Sequence, residues 1–281
     1  MARNQQFKSN KDHPPAIFPQ MLEPGQIESE LGVPIPGEIL PAAQWARTAL
    51  KKLPEQRPLD WAALFGRTAP LVLDLGCGNG RFIVSSAVRR PTHDHVGIDI
   101  LPMVIRYATR RANQRGLHNT RLAVCGAYEF LEQYVAPRTI AEIHLYHPQP
   151  YHDLNRAYRR VVTPEFLSLV CRSLVEGGRF FVQTDSSEYW QYILQIAPTM
   201  FEFQERTTPW PEDPDGRTRR EIVARSQGLS IFRGEGVPRE DLRVDDLALL
   251  LQQLPQPNFA TASWGPSARR KENRRRSGQR R

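Results

Sequence analysis

The stretch Asp74-Leu75-Gly76-Cys77-Gly78-Asn79-Gly80 constrains this chain more than any other. It grows out of the apolar run 71–75, bounded by Pro70 and Gly76, which reads as a buried strand, and it leads into helical text over 81–90. Glycines at alternate positions permit a sharp turn and a close approach of backbone to a ligand. The helix start behind them offers unpaired N–H groups. The text that follows keeps the same rhythm. Short strands are predicted at 95–99, 120–125, 141–146 and 179–183. Between them, helices are predicted over 103–115 (ending at Gly116), up to Gln133, over 164–174, and over 188–196. For 164–174, Thr163 is the N-cap and Gly177-Gly178 the stop. Strands alternating with helices predict an α/β fold, a mostly parallel sheet with helices on both faces. Residues 201–203 and 229–232 are expected to close that sheet as a C-terminal antiparallel hairpin.

Outside this body the text changes. Residues 1–60 hold nine of the 24 prolines, so 1–40 is expected to be mostly extended or disordered, with one helix over 41–52. A short helix is predicted over 244–254, ahead of a Pro/Ser/Arg-rich tail. The expected organisation is a Pro-rich extension (1–59), a catalytic body (60–236), and a C-terminal extension with a short helix and a disordered basic tail (237–281). The chain of 281 residues carries a net charge of +8. Eight basic residues and one acid fall in 264–281, leaving 30 basic against 29 acidic elsewhere. A near-neutral body with a basic tail predicts that the tail adds affinity for a polyanion without choosing its sequence. No run reaches the roughly 18–20 apolar residues of a membrane helix, and 1–6 lacks a signal-peptide core. Cys77, Cys125 and Cys171 lie 48 and 46 residues apart, which fits neither a zinc pattern nor a disulfide framework, so the cytoplasm is the expected compartment.

The acid of the glycine loop narrows its ligand. Asp74 sits two residues before Gly76, where a carboxylate suits a cationic, ammonium-bearing ligand better than a pyrophosphate. Asp99, 25 residues on, ends the second strand of the body and is placed to accept ribose hydroxyls. Asp74, Gly76, Gly78 and Gly80 with Asp99 resemble the S-adenosylmethionine site of Rossmann-like class I methyltransferases. The competing readings are a nicotinamide-dinucleotide fold with a displaced acid, and a tight structural turn. Cys77 reads as a small loop filler rather than a nucleophile.

Four features in order sharpen the resemblance. Tyr146-His147-Pro148-Gln149-Pro150-Tyr151-His152-Asp153 follows the 141–146 strand, and Arg156, Arg159 and Arg160 come next. Thr163-Pro164-Glu165-Phe166-Leu167 opens a helix, Thr184-Asp185 follows the 179–183 strand, and Thr218-Arg219-Arg220-Glu221 comes before Gly228. This order is similar to the bacterial tRNA (guanine-N7-)-methyltransferase family over about residues 60–234, including Leu64-Phe65-Gly66-Arg67. The family loop is Phe-Pro-Asp-Pro-Trp, followed by Thr-Asp and Thr-x-x-Glu. The resemblance implies S-adenosylmethionine as cofactor, tRNA as partner, and guanine 46 of the variable loop as target. It implies cofactor contacts at Gly126 and Gln149 besides the loop and Asp99. It implies substrate contacts at Tyr151, Asp153, Asp185, Thr218, Arg219, Arg220 and Glu221. Gln149 stands where the family has an acid, Tyr151 where it has Trp, Asp153 where it has Lys, and Gly126 where it has an acid. Two carboxylates are thus gone from the expected pocket.

The chemistry tolerates that loss. Guanine N7 carries a lone pair and no proton, so no general base is required. Alignment and exclusion of water can supply much of the acceleration, about 7–11 kcal/mol in ideal cases. The methylated base is cationic, and a nearby carboxylate offsets that charge. Gln149 and Asp153 are therefore the expected catalytic pair, Gln149 hydrogen-bonding and Asp153 supplying charge. His144, His147 and His152 make no metal set. Arg106 with Arg110, and Arg111 with Arg115, read as a solvated helix face. Two other functions remain open. One is a different class I methyltransferase, since Pro148-Gln149-Pro150-Tyr151 faintly echoes the Asn-Pro-Pro-Tyr loop of amino-group methylases. The other is a noncatalytic RNA-binding homologue. Monomer and homodimer are both open.

Overall fold

A computed structural model describes residues 22–242 and 244–261. The basic tail over 264–281 and the first 21 residues lie outside the described residues.

The described chain opens with an antiparallel hairpin of β1 (Ile27–Glu30) and β2 (Val33–Glu38). The text over 1–40 was expected to be extended or disordered, and over 27–38 it is extended but paired. Pro34 and Pro36 are tolerated because a two-stranded ribbon leaves backbone N–H positions that no partner needs. Ile35 between them is fully buried against helices of the main body. The helix expected over 41–52 does not form. A single 3-10 turn, Ala42–Gln44, gives way to extended chain, and β3 (Ala49–Leu50) joins the sheet edge. Asn113 holds this segment open, because its Oδ1 accepts from both Thr48 N (2.9 Å) and Thr48 Oγ1 (2.8 Å).

The core of the fold runs α1 (Trp61–Phe65), β4 (Leu71–Leu75), α2 (Arg81–Arg89), β5 (Asp94–Asp99), α3 (Pro102–Gln114), β6 (Thr120–Val124), α4 (Ala127–Gln133) and β7 (Ile140–Tyr146). It continues through α5 (Pro164–Ser173), β8 (Leu174–Thr184), α6 (Ser187–Ile196), β9 (Phe201–Arg206), α7 (Arg219–Ser226), β10 (Phe232–Pro238) and α8 (Val244–Gln253). The sheet order is β3-β6-β5-β4-β7-β8-β10-β9. All pairings are parallel except those of β10, which runs antiparallel to both neighbours. The expected closing hairpin is present, with two differences. Its strands are joined through α7, and β10 slots between β8 and β9. After β6 the chain crosses back to the far side of β4, so β4 and β7 form the topological switch point, where a ligand crevice opens at the strand C-termini.

Thr163 caps α5 as expected, its side chain accepting from Phe166 N. Gly177-Gly178 does not stop that helix. The helix ends at Ser173, and the glycines lie inside β8, where the β7–β8 register shifts. A Cβ on Gly178 would stand 2.9 Å from Val175 O and 3.2 Å from Ala141 O, so the irregular pairing requires glycine.

Period-2 alternation sorts the strands into two faces. Leu73, Leu75, Val96, Ile98, Ile143, Leu145, Phe180 and Val182 meet α4, α5 and α6 in the larger core. On the other face α2, α3 and Ile35 form a second apolar cluster. Between the two helices Gly80 is the pinch point. It adopts φ 78° as the N-cap of α2, and a Cβ there would lie 2.6 Å from Ala108 Cβ and 3.0 Å from Ala108 Cα. Because part of that clash is with backbone, relief needs α3 to move. Gly80→Ala is expected to cost about 1–3 kcal/mol through overpacking, with further strain from a positive φ, read as a lower urea midpoint at unchanged m-value. An unaltered midpoint would show that the two helices are not packed as described.

Candidate functional site

A cavity of about 860 Å³ opens at the C-terminal ends of β4, β7 and β8. Asp74, Gly76, Cys77 and Gly78 line one side, and Tyr146 through Pro150 with His152 line another. Asp185, Thr218, Arg219 and Arg220 complete it. The structure therefore brings together, from four separate segments, Asp74, Gly76, Gly78, Gln149, Asp185, Thr218, Arg219 and Arg220.

Asp74 is the deepest of them. It is 2% exposed, and among the described residues no hydrogen-bond donor reaches its carboxylate. Burial, aided by repulsion from Asp99 and opposed by Arg217, raises its pKa from 3.8 to about 8. A buried carboxyl left without a donor at the floor of a cavity is chemically suited to a cationic ligand. Asp99 shapes the loop above it: its Oδ2 accepts from Gly78 N (3.1 Å) and its Oδ1 from Leu101 N (2.9 Å). Asp99, Gly80 and Gly126 do not line the cavity. Gly80 caps α2, and Gly126 caps α4 beside Ile100 and Glu129. Cys77 is a buried thiol that packs under Gly97, and burial raises its pKa, consistent with a loop filler.

On the substrate side the sequence expectations divide. Gln149 is exposed at the cavity rim. Asp153 does not reach the cavity. Its carboxylate accepts from Asn155 N (3.0 Å) as the cap of a short 3-10 helix, Leu154–Arg159, and it is exposed. Tyr151 also stands outside the lining, with φ 41°. Glu221, expected to face tRNA, is fully buried. It accepts from Arg217 N (2.9 Å) and Gln183 Nε2 (3.0 Å) and pairs with Arg233. These donors hold its carboxyl below the usual range despite burial. Thr218 caps α7 by accepting from Glu221 N (3.1 Å). The Thr-x-x-Glu pattern is therefore a variant of the capping box turned inward, its acid reaching past Thr218 to Arg217 N. It aims Arg219 and Arg220 at the cavity.

Asp185 is held on two sides, by His147 Nδ1 at 3.0 Å and Arg220 Nη2 at 2.5 Å. Burial opposes its ionisation, but the hydrogen bonds and charges of those two neighbours prevail and lower its pKa to about 2. The N-cap of α6 is the next residue, Ser186, whose side chain accepts from Tyr189 N. His147, read from sequence only as a rejected metal ligand, is orientated as strictly. Gln183 Oε1 accepts from Trp210 Nε1 (2.7 Å), so its amide nitrogen faces His147 Nε2 (2.9 Å) and Glu221. His147 Nε2 is then an acceptor, and Nδ1–H donates to Asp185.

Below the cavity runs a buried polar chain that the sequence did not disclose. Arg90 pairs with Glu142, Glu142 with His144 Nε2 (3.0 Å), His144 Nδ1 with Tyr146 OH (2.7 Å), and Tyr146 OH accepts from Arg217 Nη1 (2.7 Å). Burial lowers the His144 pKa to about 4, so the ring is neutral and takes the Tyr146 proton as acceptor. Arg217 lies over the rings of Trp210, Phe82 and Tyr146 at 4.6, 5.2 and 5.8 Å. Arg111 and Arg115, expected on a solvated face, are buried because the hairpin covers them: Glu28 pairs with both and Glu30 with Arg111. Glu30 also accepts from Asn79 Nδ2 of the glycine loop (2.6 Å) and from Arg219 (3.2 Å). Among the described residues no group of His, Cys, Asp and Glu could hold a metal ion, and no helix is long and apolar enough to cross a membrane.

A family profile described as "Putative methyltransferase" matches residues 68–233. The tRNA (guanine-N(7)-)-methyltransferase of Shewanella woodyi is 33% identical over 196 residues, covering 69% of this chain and 80% of that protein. The protein of that name from Aeromonas hydrophila is 31% identical over 195 residues, with the same shares. That of Pseudomonas syringae is 34% identical over 139 residues, and there the match spans 50% of this chain and 57% of the relative. Among solved structures, the 16S rRNA methyltransferase KamB has a TM-score of 0.50 at 19% identity, over 68% of this chain and 98% of that one, a likeness of fold.

The inward capping box carries its own test. Glu221→Ala leaves Arg233 buried without its carboxylate and should cost about 3–5 kcal/mol in urea unfolding. Wild-type stability in that variant, with tRNA binding lost, would instead place Glu221 at the surface.

Proposed function

We propose a working arrangement for the cavity on the premise that the chain belongs to the tRNA (guanine-N7-)-methyltransferase family: it transfers a methyl group from S-adenosylmethionine to N7 of a guanine in tRNA, with the body over 60–236 as the catalytic unit and guanine 46 of the variable loop as the target. Asp74 is the observation that carries the arrangement. A buried carboxyl with no donor fits the amino group of a cationic cofactor, and the N–H groups of the glycine loop fit its carboxylate. Asp99 holds that loop in shape from just outside the cavity lining. The cofactor supplies an electrophilic methyl on a positively charged sulfur.

The chain's own residues do the rest. Pro148 and Pro150 stiffen the rim, and Gln149 between them offers amide hydrogen bonds to a base edge. Asp185, kept ionised by His147 and Arg220, is a cavity carboxylate able to offset charge as the guanine becomes cationic. It takes over the charge role expected of Asp153. Arg219 and Arg220, about half exposed on α7, face the phosphates of the incoming tRNA. No residue is asked to remove a proton, since N7 has none.

Incubation with labelled S-adenosylmethionine and unmodified tRNA, followed by digestion to nucleosides, should place the label in 7-methylguanosine. Label in another nucleoside, or RNA binding with no transfer, would overturn the reading in favour of a different methyltransferase or a noncatalytic RNA binder.

Asp74 adds a pH signature. Its raised pKa means that the unliganded native state still holds a proton that the unfolded chain loses near pH 4. That carboxyl therefore lowers stability as pH rises from about 4 to about 8. A cation beside it favours the carboxylate and expels the proton. Cofactor affinity should then strengthen with pH between about 6 and 7.5, by at most about tenfold per unit. Calorimetry in buffers of differing ionisation enthalpy should show proton release on binding, absent in Asp74→Asn. Binding to the wild type without proton release would remove Asp74 from the cofactor's charge.

A further inference from the structure

Arg160 has no solvent-facing task. It is 2% exposed and lies between two segments, one about Pro150 and Tyr151 and the other about Pro257 and Phe259, that are far apart in sequence. Its Nε donates to Pro150 O (2.6 Å) and its Nη2 to Tyr151 O (3.0 Å), both in the loop that rims the cavity. Its Nη1 donates to Pro257 O (2.7 Å) and Phe259 O (2.8 Å) near the end of the described chain. The guanidinium also sits 3.9 Å from the centroid of the Phe259 ring. The planar fork thus satisfies carbonyls on both sides at once, a geometry no lysine reproduces.

The loop needs such a hold. His147 and Tyr151 both take positive φ, 51° and 41°, conformations that non-glycine residues adopt only when their surroundings impose them. His147 is tied from the sheet side by Asp185 and Gln183. Tyr151 is tied from the other side by Arg160 alone among the described residues, through its carbonyl. The C-terminal segment is in turn well seated. Tyr192 OH donates to Pro255 O (2.8 Å), Gln256 Nε2 donates to Glu165 (2.9 Å), and Phe259 packs against Tyr189 and Tyr192. At its end Thr261 Oγ1 meets His152 Nδ1 at 2.7 Å, on the cavity rim itself.

We infer that Arg160 is a positioning residue and residues 255–261 a strap, which together hold the Pro148-Gln149-Pro150-Tyr151 loop in its substrate-facing conformation, so that the substrate wall is complete only when the strap is docked. The inference rests on the methyltransferase reading for its kinetic consequence and on geometry alone for its structural one. The cofactor half of the cavity, built from the end of β4 and the glycine loop, supplies none of Arg160's partners among the described residues and is unaffected.

The test uses the full chain, Arg160→Lys, Phe259→Ala, and two truncations, one ending at Thr261 and one at Leu254. Amide hydrogen exchange at 149–153 should accelerate at least tenfold in Arg160→Lys and in the 254 truncation, and stay unchanged in the 261 truncation. Cofactor Kd should remain within twofold throughout. With tRNA, Arg160→Lys, Phe259→Ala and the 254 truncation should lose tenfold or more in kcat. The 261 truncation should instead raise KM and flatten the salt dependence of tRNA binding, at unchanged kcat. Unchanged exchange at 149–153 in both Arg160→Lys and the 254 truncation overturns the inference, as does parallel loss of cofactor binding. Accelerated exchange in a protein whose wild type methylates no guanine would overturn the proposed function and leave the strap standing.

Discussion

The guanidinium of Arg217, enclosed by aromatic rings, is the interaction on which the catalytic half of the molecule rests. Strand alternation puts Asp74, His144, Tyr146, Phe181 and Gln183 on one face of the sheet, and that face is covered rather than solvated. A buried polar face survives only if its charges find partners or, as at Asp74, are given up by protonation. Arg217 meets that demand at the centre, reaching Tyr146, Glu212 and Asp213 at once. Its own turn then leads into the Thr218 cap and α7, so the placement of Arg219 and Arg220 follows from a cation that never meets solvent. The electrostatics of the cavity are set from below in the same way, since Arg217 tempers the Asp74 pKa that Asp99 and burial raise.

The body was legible wherever structure is local. β4, β5, β6 and β7 are short apolar runs fenced by glycine, proline or polar residues, and their ends fall within a residue or so of the text's own punctuation. The flanks were not legible, because their structure is borrowed from partners elsewhere. The hairpin looks irregular in isolation, with prolines at 34 and 36, and becomes a strand pair only because Ile35 finds the α2–α3 apolar cluster. Residues 41–52 carry plausible helical text, yet Asn113 and the edge of β6 draw the segment into the sheet. Arg111 and Arg115 read as surface until Glu28 and Glu30 cover them.

The site divides along the same line. Asp74, Gly76, Gly78 and Asp185 stand at or just beyond strand ends, where topology alone carries them to the crevice. Glu221 was misplaced because a capping box has the same spacing whichever way its acid points. What decides is Arg233, twelve residues on and in another element. His147 was overlooked because nothing nearby in sequence explains it: its partners are Asp185 and Gln183, two strand-end residues of β8 and the turn after it. Asp153 sits in the right loop, but the loop turns its carboxylate onto Asn155.

Glu30 has a consequence for the order in which the molecule is made. It emerges early in synthesis, yet one of the cations it accepts from, Arg219, is 189 residues downstream. Arg160 likewise waits 97 and 99 residues for two of its acceptors. Contacts of such sequence separation form late and slow the folding of a chain. Until residues 219 and 257–259 have emerged, the nascent protein carries ions meant for burial that lack their final counterparts. The glycine-loop half can be built early, whereas the sides of the cavity held by Arg219 and Arg160 are complete only after residues 219 and 257–259 have been made.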